Sequence, residues 1–282
     1  MNVPRPVFAT IVAVLAVSCA TRDEHIEIVR STSNGAAPIT PRGSTYEAAL
    51  ELVLDALERE LALPRVDVSL VLFPSQRWFE RGLLEIGYTP SLARSASSFN
   101  AIGGARAVLV NAGRTDGLTR TQRIRLIAHE VVHTVQYQLG GGTRGASEQW
   151  LREGFAEWVA CRVTARLGLA SFGSLRDDLI DELAGARFGL PHAPFEQLAT
   201  FPQWVEARHR YEAPLYTQAF LAAELLVEMR GVPAVVGYFE RFEKTEDRAG
   251  AFTSAFGLDP ADFERAFARR WHETVARARA QW

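Results

Sequence analysis

The run His129-Glu130-Val131-Val132-His133 constrains this chain of 282 residues more than any other feature of its sequence. On a helix, residues four apart leave nearly the same face, because each residue turns the helix by about 100°. Both imidazoles could then bind one metal ion, and Glu130 on the adjacent face could reach a water molecule held by that ion. The pattern therefore predicts a metal site with a carboxylate base, which is an arrangement suited to hydrolysis.

The residues around this run predict one long, packed helix. Thr119 suits the N-cap position, and Gln122 follows three residues later, as in a capping box. Apolar residues recur at helical spacing through the segment. The helix should end at Leu139, with Gly140 in the left-handed conformation that ends many helices. The two histidines would thus lie on a central helix.

A second predicted helix, Trp150 to Ala160, carries the candidate third ligand. Ser147 could cap this helix, and Glu153 and Glu157 share one face because they are one turn apart. A catalytic zinc commonly has three protein ligands, and two histidines with one glutamate form a known set. Glu153 lies 20 residues after His133, which leaves room for a glycine loop and an antiparallel return. A solvated helix face is the alternative, but large apolar residues surround the two glutamates, namely Trp150, Leu151, Phe155 and Trp158.

The sequence HEVVH followed by WLREGFAEW resembles the gluzincin zinc metallopeptidases, in particular the bacterial peptidase MA-like families. The resemblance covers residues 119–166, with a weaker likeness to about residue 245. It implies a bound Zn²⁺, with Glu153 as the third ligand beside His129 and His133. It also implies that Glu157 supports His129 through a hydrogen bond, which would fix the imidazole tautomer.

The resembling families also place a tyrosine where it can stabilise the oxyanion formed during hydrolysis. Tyr216, 63 residues after Glu153, stands at a similar distance and begins a long apolar helix. His209 or Tyr211 could serve instead. A tyrosine that simply packs at the start of a helix is an equally open interpretation of Tyr216.

The residues around the HEVVH motif also distinguish the resembling family from other classes of zinc peptidase. A metzincin would have glycine three and histidine six residues after His133, but Gln136 and Leu139 occupy those positions. A gluzincin aminopeptidase would carry a Gly-x-Met-Glu-Asn run before the zinc motif, whereas residues 103–107 contain no carboxylate. An endopeptidase is therefore favoured. Residues 105–111 predict a strand, either an edge strand that pairs with extended substrate or a strand without a ligand.

The predicted function is a zinc-dependent metallopeptidase that acts on a peptide or protein substrate. Glu130 would act as general base and Tyr216 would stabilise the oxyanion. Two alternatives remain open at this stage. One is a catalytically inactive protein of the same fold that binds peptide or cell-wall material, and the other is a zinc hydrolase of esters or non-peptide amides, which would carry the same residues.

The start of the chain predicts export to the bacterial cell envelope. An apolar stretch at residues 7–17, too short to span a membrane, follows Arg5 and precedes Ser18-Cys19. We therefore expect a signal peptide with a lipobox over residues 1–19 and a lipid anchor on Cys19, with ordinary secretion as the alternative. Residues 20–43 should form a flexible tether. If Cys19 is acylated or removed, Cys161 has no partner for an intrachain disulfide.

The remaining residues, 44–282, predict one domain of α+β class with a zincin-like fold and two lobes. An α/β lobe with a mixed sheet and the active-site helix would cover residues 44–142, and a mostly helical lobe would cover residues 143–282. The net charge of −2 gives no reason to expect nucleic-acid binding. We expect a monomer. The elements predicted outside the motifs are a helix over 44–63, a strand over 66–73, a helix over 78–86, a Ser-rich loop, and helices over 174–186, 195–208, 214–230, 232–243 and 260–279.

Overall fold

The computed structural model describes residues 26–30, 41–142, 146–184, 192–211 and 214–280. The predicted signal peptide and lipobox over residues 1–19, including Cys19, lie outside the described residues. So do residues 20–25 and 31–40 of the predicted tether. Among the described residues, no helix is both long and apolar enough to cross a membrane.

The described part of the chain has the predicted α+β class, with twelve α-helices, two 3₁₀ turns and one four-stranded mixed sheet. The helices dominate both by number and by length. The elements in chain order are β1 (Glu27–Arg30), α1 (Pro41–Leu61), β2 (Ser69–Phe73), α2 (Gln76–Glu85), α3 (Pro90–Ala96), β3 (Ala101–Gly103), β4 (Ala107–Asn111), α4 (Ala112–Thr115), α5 (Arg120–Leu139), α6 (Gln149–Arg166), α7 (Phe172–Ala184), the 3₁₀ turn Phe195–Leu198, α8 (Phe201–Arg210), α9 (Leu215–Arg230), α10 (Val232–Glu240), the 3₁₀ turn Arg241–Glu243, α11 (Arg248–Phe256) and α12 (Pro260–Ala280).

The strand order in the sheet is β1-β2-β4-β3, with β2 and β4 parallel and the two outer pairs antiparallel. The strand predicted over 105–111 is β4, and it pairs on both sides. The prediction that it forms the substrate-binding edge is therefore wrong, and β3 is the edge on that side. A tight turn explains the difference, because the Gly104 N–H donates to the Ala107 carbonyl at 2.8 Å and folds β3 back along β4.

Part of the predicted tether, residues 20–43, is not flexible but forms the strand at the other edge of the sheet. Residues 27–30 form β1, which pairs with β2 from Glu27 opposite Leu72 to Arg30 opposite Ser69. Val29 is buried against the core. β2 would otherwise present unpaired backbone N–H and C=O groups at this edge, and the short segment with Ile28 and Val29 forms hydrogen bonds with them.

Of the three helices that the sequence analysis did not predict, α3, α4 and α11, two have recognisable start signals. α3 replaces part of the predicted Ser-rich loop, where the Thr89 hydroxyl accepts a hydrogen bond from the Leu92 N–H and a proline follows at the first helical position. α11 begins after Asp247, whose carboxylate caps the Gly250 N–H at 3.0 Å, and ends at Gly257 with φ 66°. Both helices are short, so their apolar periodicity is weak.

The helix that carries the histidine pair begins as predicted. Thr119 and Gln122 form a capping box, with the Gln122 N–H donating to the Thr119 hydroxyl at 3.3 Å and the Thr119 N–H donating to Gln122 Oε1 at 3.0 Å. The helix also ends at Leu139, but the predicted left-handed conformation of Gly140 is wrong, since its φ is −83°. Gly141 and Gly142 have the positive φ angles instead.

Close backbone contacts bring α9 against α6 and β3 against α5. A Cβ at Gly154 would overlap the carbonyl oxygen of Ala219, so α6 and α9 touch through their backbones there. A Cβ at Gly103 would overlap the carbonyl oxygen of Glu130, so the β3 edge lies directly on α5. The glycine after Glu153 therefore allows the approach of α9, and Tyr216 lies one turn before Ala219 on that helix.

Candidate metal centre

The three predicted ligands lie together in the interior. His129, His133 and Glu153 are each at most 7% exposed, and their ligand atoms all lie within 4.8 Å of one another. His129 Nε2 is 3.2 Å from His133 Nε2 and 3.3 Å from Glu153 Oε2, and His133 Nε2 is 3.6 Å from Glu153 Oε1. We call these three residues the metal group.

These separations fit a four-coordinate divalent ion. Zinc binds imidazole nitrogen and carboxylate oxygen at about 2.0–2.1 Å, so the ligands of a tetrahedral site are about 3.3 Å apart. The three observed separations are close to that value. Since the separations from His129 and His133 end on different oxygens of Glu153, the geometry fits one ion bound by the three side chains.

The tautomer of His133 is set by a chain of hydrogen bonds. The Gln136 amide nitrogen donates to the Arg152 carbonyl at 3.0 Å, which turns Gln136 Oε1 toward the imidazole. Because that oxygen only accepts, His133 Nδ1 carries the proton of their 2.9 Å bond. His133 Nε2 therefore presents a lone pair to the metal group.

A carboxylate sets the tautomer of His129 in the same way. Glu157 Oε2 lies 2.9 Å from His129 Nδ1, and Glu157 Oε1 accepts hydrogen bonds from the Arg125 guanidinium, the Nε bond being 2.8 Å. Burial alone would raise the pKa of Glu157, but His129 and Arg125 lower that pKa to about 2. Glu157 thus stays ionised and accepts the Nδ1 proton, in the position that the sequence resemblance implied.

The centre therefore brings two imidazole Nε2 atoms and one carboxylate to a single point, which a proton or a metal ion can occupy. Burial alone lowers the pKa of His129, but hydrogen bonds with Glu153 and Glu157 raise it well above its ordinary value. Burial alone raises the pKa of Glu153, but His133 and His129 lower it far below its usual range. The two pKa shifts have one cause. The carboxylates of Glu153 and Glu157 stabilise positive charge on His129, and positive charge on the imidazoles stabilises the carboxylate of Glu153. These three side chains can bind a metal ion.

Two glutamines near the metal group were missed by the sequence analysis. Gln149 donates to Glu153 Oε1 at 2.6 Å and stands four residues before it on α6, while Gln136 stands three residues after His133 on α5. Helical spacing could have found both. Arg125 is different, because it meets Glu157 across 32 residues of sequence and only the packing of α5 on α6 shows the pair.

Glu130 lies beside the metal group but is not part of it. Its side chain is buried and lines the same cleft as the three ligands. Burial raises the pKa of Glu130 above its ordinary value, and the charge of Glu153 adds to that shift, while the two histidines and a backbone hydrogen bond with Gly103 reduce it. The carboxylate therefore lies between the metal group and the β3 edge.

Of the three candidates for the oxyanion site, Tyr216 lies in the cleft. Its ring is 6.1 Å from the ring of His129, centroid to centroid, and packs edge-on against Trp204. Burial, with the charges of Glu153 and Glu130, raises the pKa of Tyr216 well above its usual range, so its hydroxyl stays a hydrogen-bond donor. Tyr211 instead donates to Gln197 outside the cleft. The side chain of His209 lies outside the described residues.

The cleft that the metal group lines together with Glu130 and Tyr216, which we call the metal cleft, opens between β3 and α9. Two larger cavities adjoin it. One is mostly apolar and shares Gln149 and Phe201 with the cleft. The other, which we call the basic cavity, has a volume of about 440 Å³ and shares Ala101, His129 and Glu130 with the cleft. The residues that line the basic cavity include three arginines, Arg114, Arg125 and Arg208.

Comparison with known proteins identifies little beyond a distant relative. An uncharacterized protein of Bacillus subtilis (strain 168), YhcO, is 24% identical over 155 residues, which cover 54% of this chain and 42% of YhcO. The matched segment thus spans less than half the length of that relative. No protein-family model and no solved structure matches the chain.

Proposed function

We propose that this protein is a zinc-dependent metallopeptidase with a zincin-like fold. The observation that carries the proposal is the metal group itself. Two imidazoles with fixed Nδ1 protons and one carboxylate converge at tetrahedral spacing, and Glu130 stands beside them. Two nitrogen ligands and one carboxylate with a free position are typical of a catalytic zinc site. Envelope localisation through Cys19 remains a prediction from the sequence.

A zinc ion bound by His129, His133 and Glu153 would polarise the scissile carbonyl and lower the pKa of a water molecule to about 7. Glu130, which lines the same cleft, would act as the general base that accepts the proton of the attacking water. Glu130 then gives the proton to the leaving amine.

Tyr216 supports the same reaction from the opposite wall. Its hydroxyl is protonated and lines the cleft with Glu130 and Glu153. It donates a hydrogen bond to the negative oxygen that develops on the carbonyl. The contact between Gly154 and Ala219 holds α9 against α6, which fixes the distance between this donor and the metal group.

The β3 edge supplies backbone groups that can bind an extended peptide. Asn100 and Gly104 hydrogen-bond to β4, so the alternation of an antiparallel ladder turns the backbone of Ala101 and Gly103 outward. Gly103 contacts Glu130, and the outward backbone groups of Ala101 can pair with a ligand. Such pairing suits a peptide of any sequence.

Metal analysis combined with peptide cleavage tests the proposal. The zinc-loaded protein should bind one Zn²⁺ and cleave a mixed peptide library. Glu130→Gln should keep the zinc and lose roughly 100-fold or more in turnover, while His133→Ala should lose both. Zinc binding with cleavage of esters or non-peptide amides alone would replace peptidase by another hydrolase. Zinc binding without turnover of any substrate would indicate an inactive binding protein.

A further inference from the structure

The basic cavity contains cations that lack anionic partners. Arg125 is neutralised by Glu157, but Arg114 and Arg208 have no carboxylate within ion-pair distance among the residues that the structure describes. Arg210, two residues further along α8, pairs with Glu206. Among the described residues, the carboxylates that line the basic cavity are Glu130 and Glu157, and both belong to the metal centre.

Arg208 is held in place by an aromatic ring. Its guanidinium carbon lies 4.3 Å from the centroid of the Phe99 ring and 5.9 Å from that of Tyr216. Stacking of this kind fixes the guanidinium plane while its N–H groups stay available to a ligand. Arg208 is exposed, so a ligand can reach it from solvent. Its position next to Tyr216 places it at the border between the basic cavity and the metal cleft.

Arg114 occupies the same cavity and is oriented by a neutral group. Its Nε–H donates to the side-chain oxygen of Asn100 at 3.4 Å. Asn100 immediately precedes β3, so this arginine lies at the Ala101 end of the edge strand. Two arginines with neutral supports therefore adjoin the end of the strand that would bind substrate.

We propose that Arg208, assisted by Arg114, binds a carboxylate of the substrate and makes the enzyme select peptides that carry a negative charge beside the scissile bond. This inference rests on the proposed peptidase function. The planar fork of an arginine matches a carboxylate through two parallel hydrogen bonds. The carboxylate can belong to an acidic side chain or to the C-terminus of a short peptide, and both have the same chemistry.

The position of the basic cavity also predicts the side of the scissile bond that carries the charge. The basic cavity includes residues 98–101, at the N-terminal end of β3. A peptide that pairs antiparallel with β3 has its C-terminal half at that end, and antiparallel pairing is slightly the more stable arrangement. We therefore expect the negative charge on the C-terminal side of the cleaved bond.

Cleavage of a designed library tests this inference. The zinc-loaded full chain is given octapeptides that differ by Glu or Gln at each position, each made with a free and with an amidated C-terminus, and mass spectrometry reads the products. The wild-type protein should favour the charged member of a pair by roughly tenfold in kcat/KM. Arg208→Gln should remove this preference through KM, Arg208→Lys should restore part of it, and the matched control Arg210→Gln should retain it.

A binding measurement separates this inference from the proposed function. The Glu130→Gln protein is titrated with fluorescent Glu and Gln members of the same peptide pairs, so no turnover is needed. Tighter binding of the Glu or free-carboxyl peptides, lost in the double variant with Arg208→Gln, supports the carboxylate site even if the wild-type protein cleaves nothing. Cleavage or binding that is equal for charged and neutral peptides would overturn it.

Discussion

Two buried glutamates on neighbouring helices, Glu224 and Glu153, have opposite surroundings. Glu224 on α9 accepts from the Nε–H of Arg176 at 2.9 and 3.0 Å and lies 3.7 Å from Arg270, so donors surround its oxygens. Glu153 on α6 has one amide donor, and its remaining neighbours are imidazole nitrogens that present lone pairs once His129 has lost its extra proton. The balance of hydrogen-bond donors and acceptors around a buried glutamate, more than its burial or charge alone, therefore distinguishes a structural ion pair from a metal site.

The largest expected effect is that of zinc on stability. Zn²⁺ at about 1,000 times its Kd should raise the free energy of unfolding by about 4 kcal/mol, because it binds the folded state alone. His133→Ala should remove this increment. Thermal unfolding with zinc or with a chelator measures it. Glu224→Gln is the matched control, and loss of the increment there would contradict the distinction between the two glutamates.

Substitution of each glutamate in the zinc-free protein tests how much Glu224 and Glu153 stabilise the fold itself. Glu224→Ala should lower the free energy of unfolding by about 3 kcal/mol, since Arg176 and Arg270 would lose a buried partner. In chelator-treated protein, at a pH above the raised pKa of His129, Glu153→Gln should change it by less than about 1 kcal/mol, because the amide then removes one of three facing acceptors. Chemical denaturation of the two variants gives both values. Equal losses would show that Glu153 also has a structural role.

A smaller effect is expected from the support of His129. Glu157→Gln should weaken zinc binding by about 10- to 100-fold, because it removes the charge that holds the Nδ1 proton. Competition with a coloured chelator measures the affinity. Glu228→Gln, which removes an exposed carboxylate paired with Arg270, should leave it unchanged. Equal affinities for zinc in the two variants would exclude the proposed role of Glu157.

The smallest effect is a dependence of the zinc increment on pH. The pKa of His129 is raised in the zinc-free folded state, so protonation stabilises that state below the unfolded value of about 6.5, and the contribution is lost as pH rises through the folded value. Zinc must displace the same proton. The difference in Tm between zinc-bound and zinc-free protein should therefore grow from pH 6 to pH 9. A constant difference would show that His129 does not bind the ion.

The parts of the site that the sequence predicted are those governed by local spacing. The capping box at Thr119, the shared face of His129 and His133, and the shared face of Glu153 and Glu157 all follow from the period of a helix. Each of these contacts depends on residues three or four positions apart. They were therefore accessible without any knowledge of how the helices pack.

The parts that the sequence did not predict depend on contacts between distant segments. Nothing local shows that Arg125 meets Glu157, or that β4 is covered by β3 on its outer side. The choice between Tyr216 and Tyr211 also depends on packing, since Tyr216 lines the cleft whereas Tyr211 contacts Gln197 outside it. The apolar run of β4 is typical of a strand paired on both sides, and this signal could have predicted its interior position.

X-ray absorption at the zinc edge tests the central claim most directly, because it reports the atoms bound to the ion. For the zinc-loaded protein we expect a four-coordinate shell of nitrogen and oxygen at about 2.0 Å, with the outer-shell scattering of two imidazoles. In His133→Ala the scattering of one imidazole should disappear. A shell without imidazole scattering, or a spectrum that His133→Ala does not change, would contradict binding of the ion by His129, His133 and Glu153.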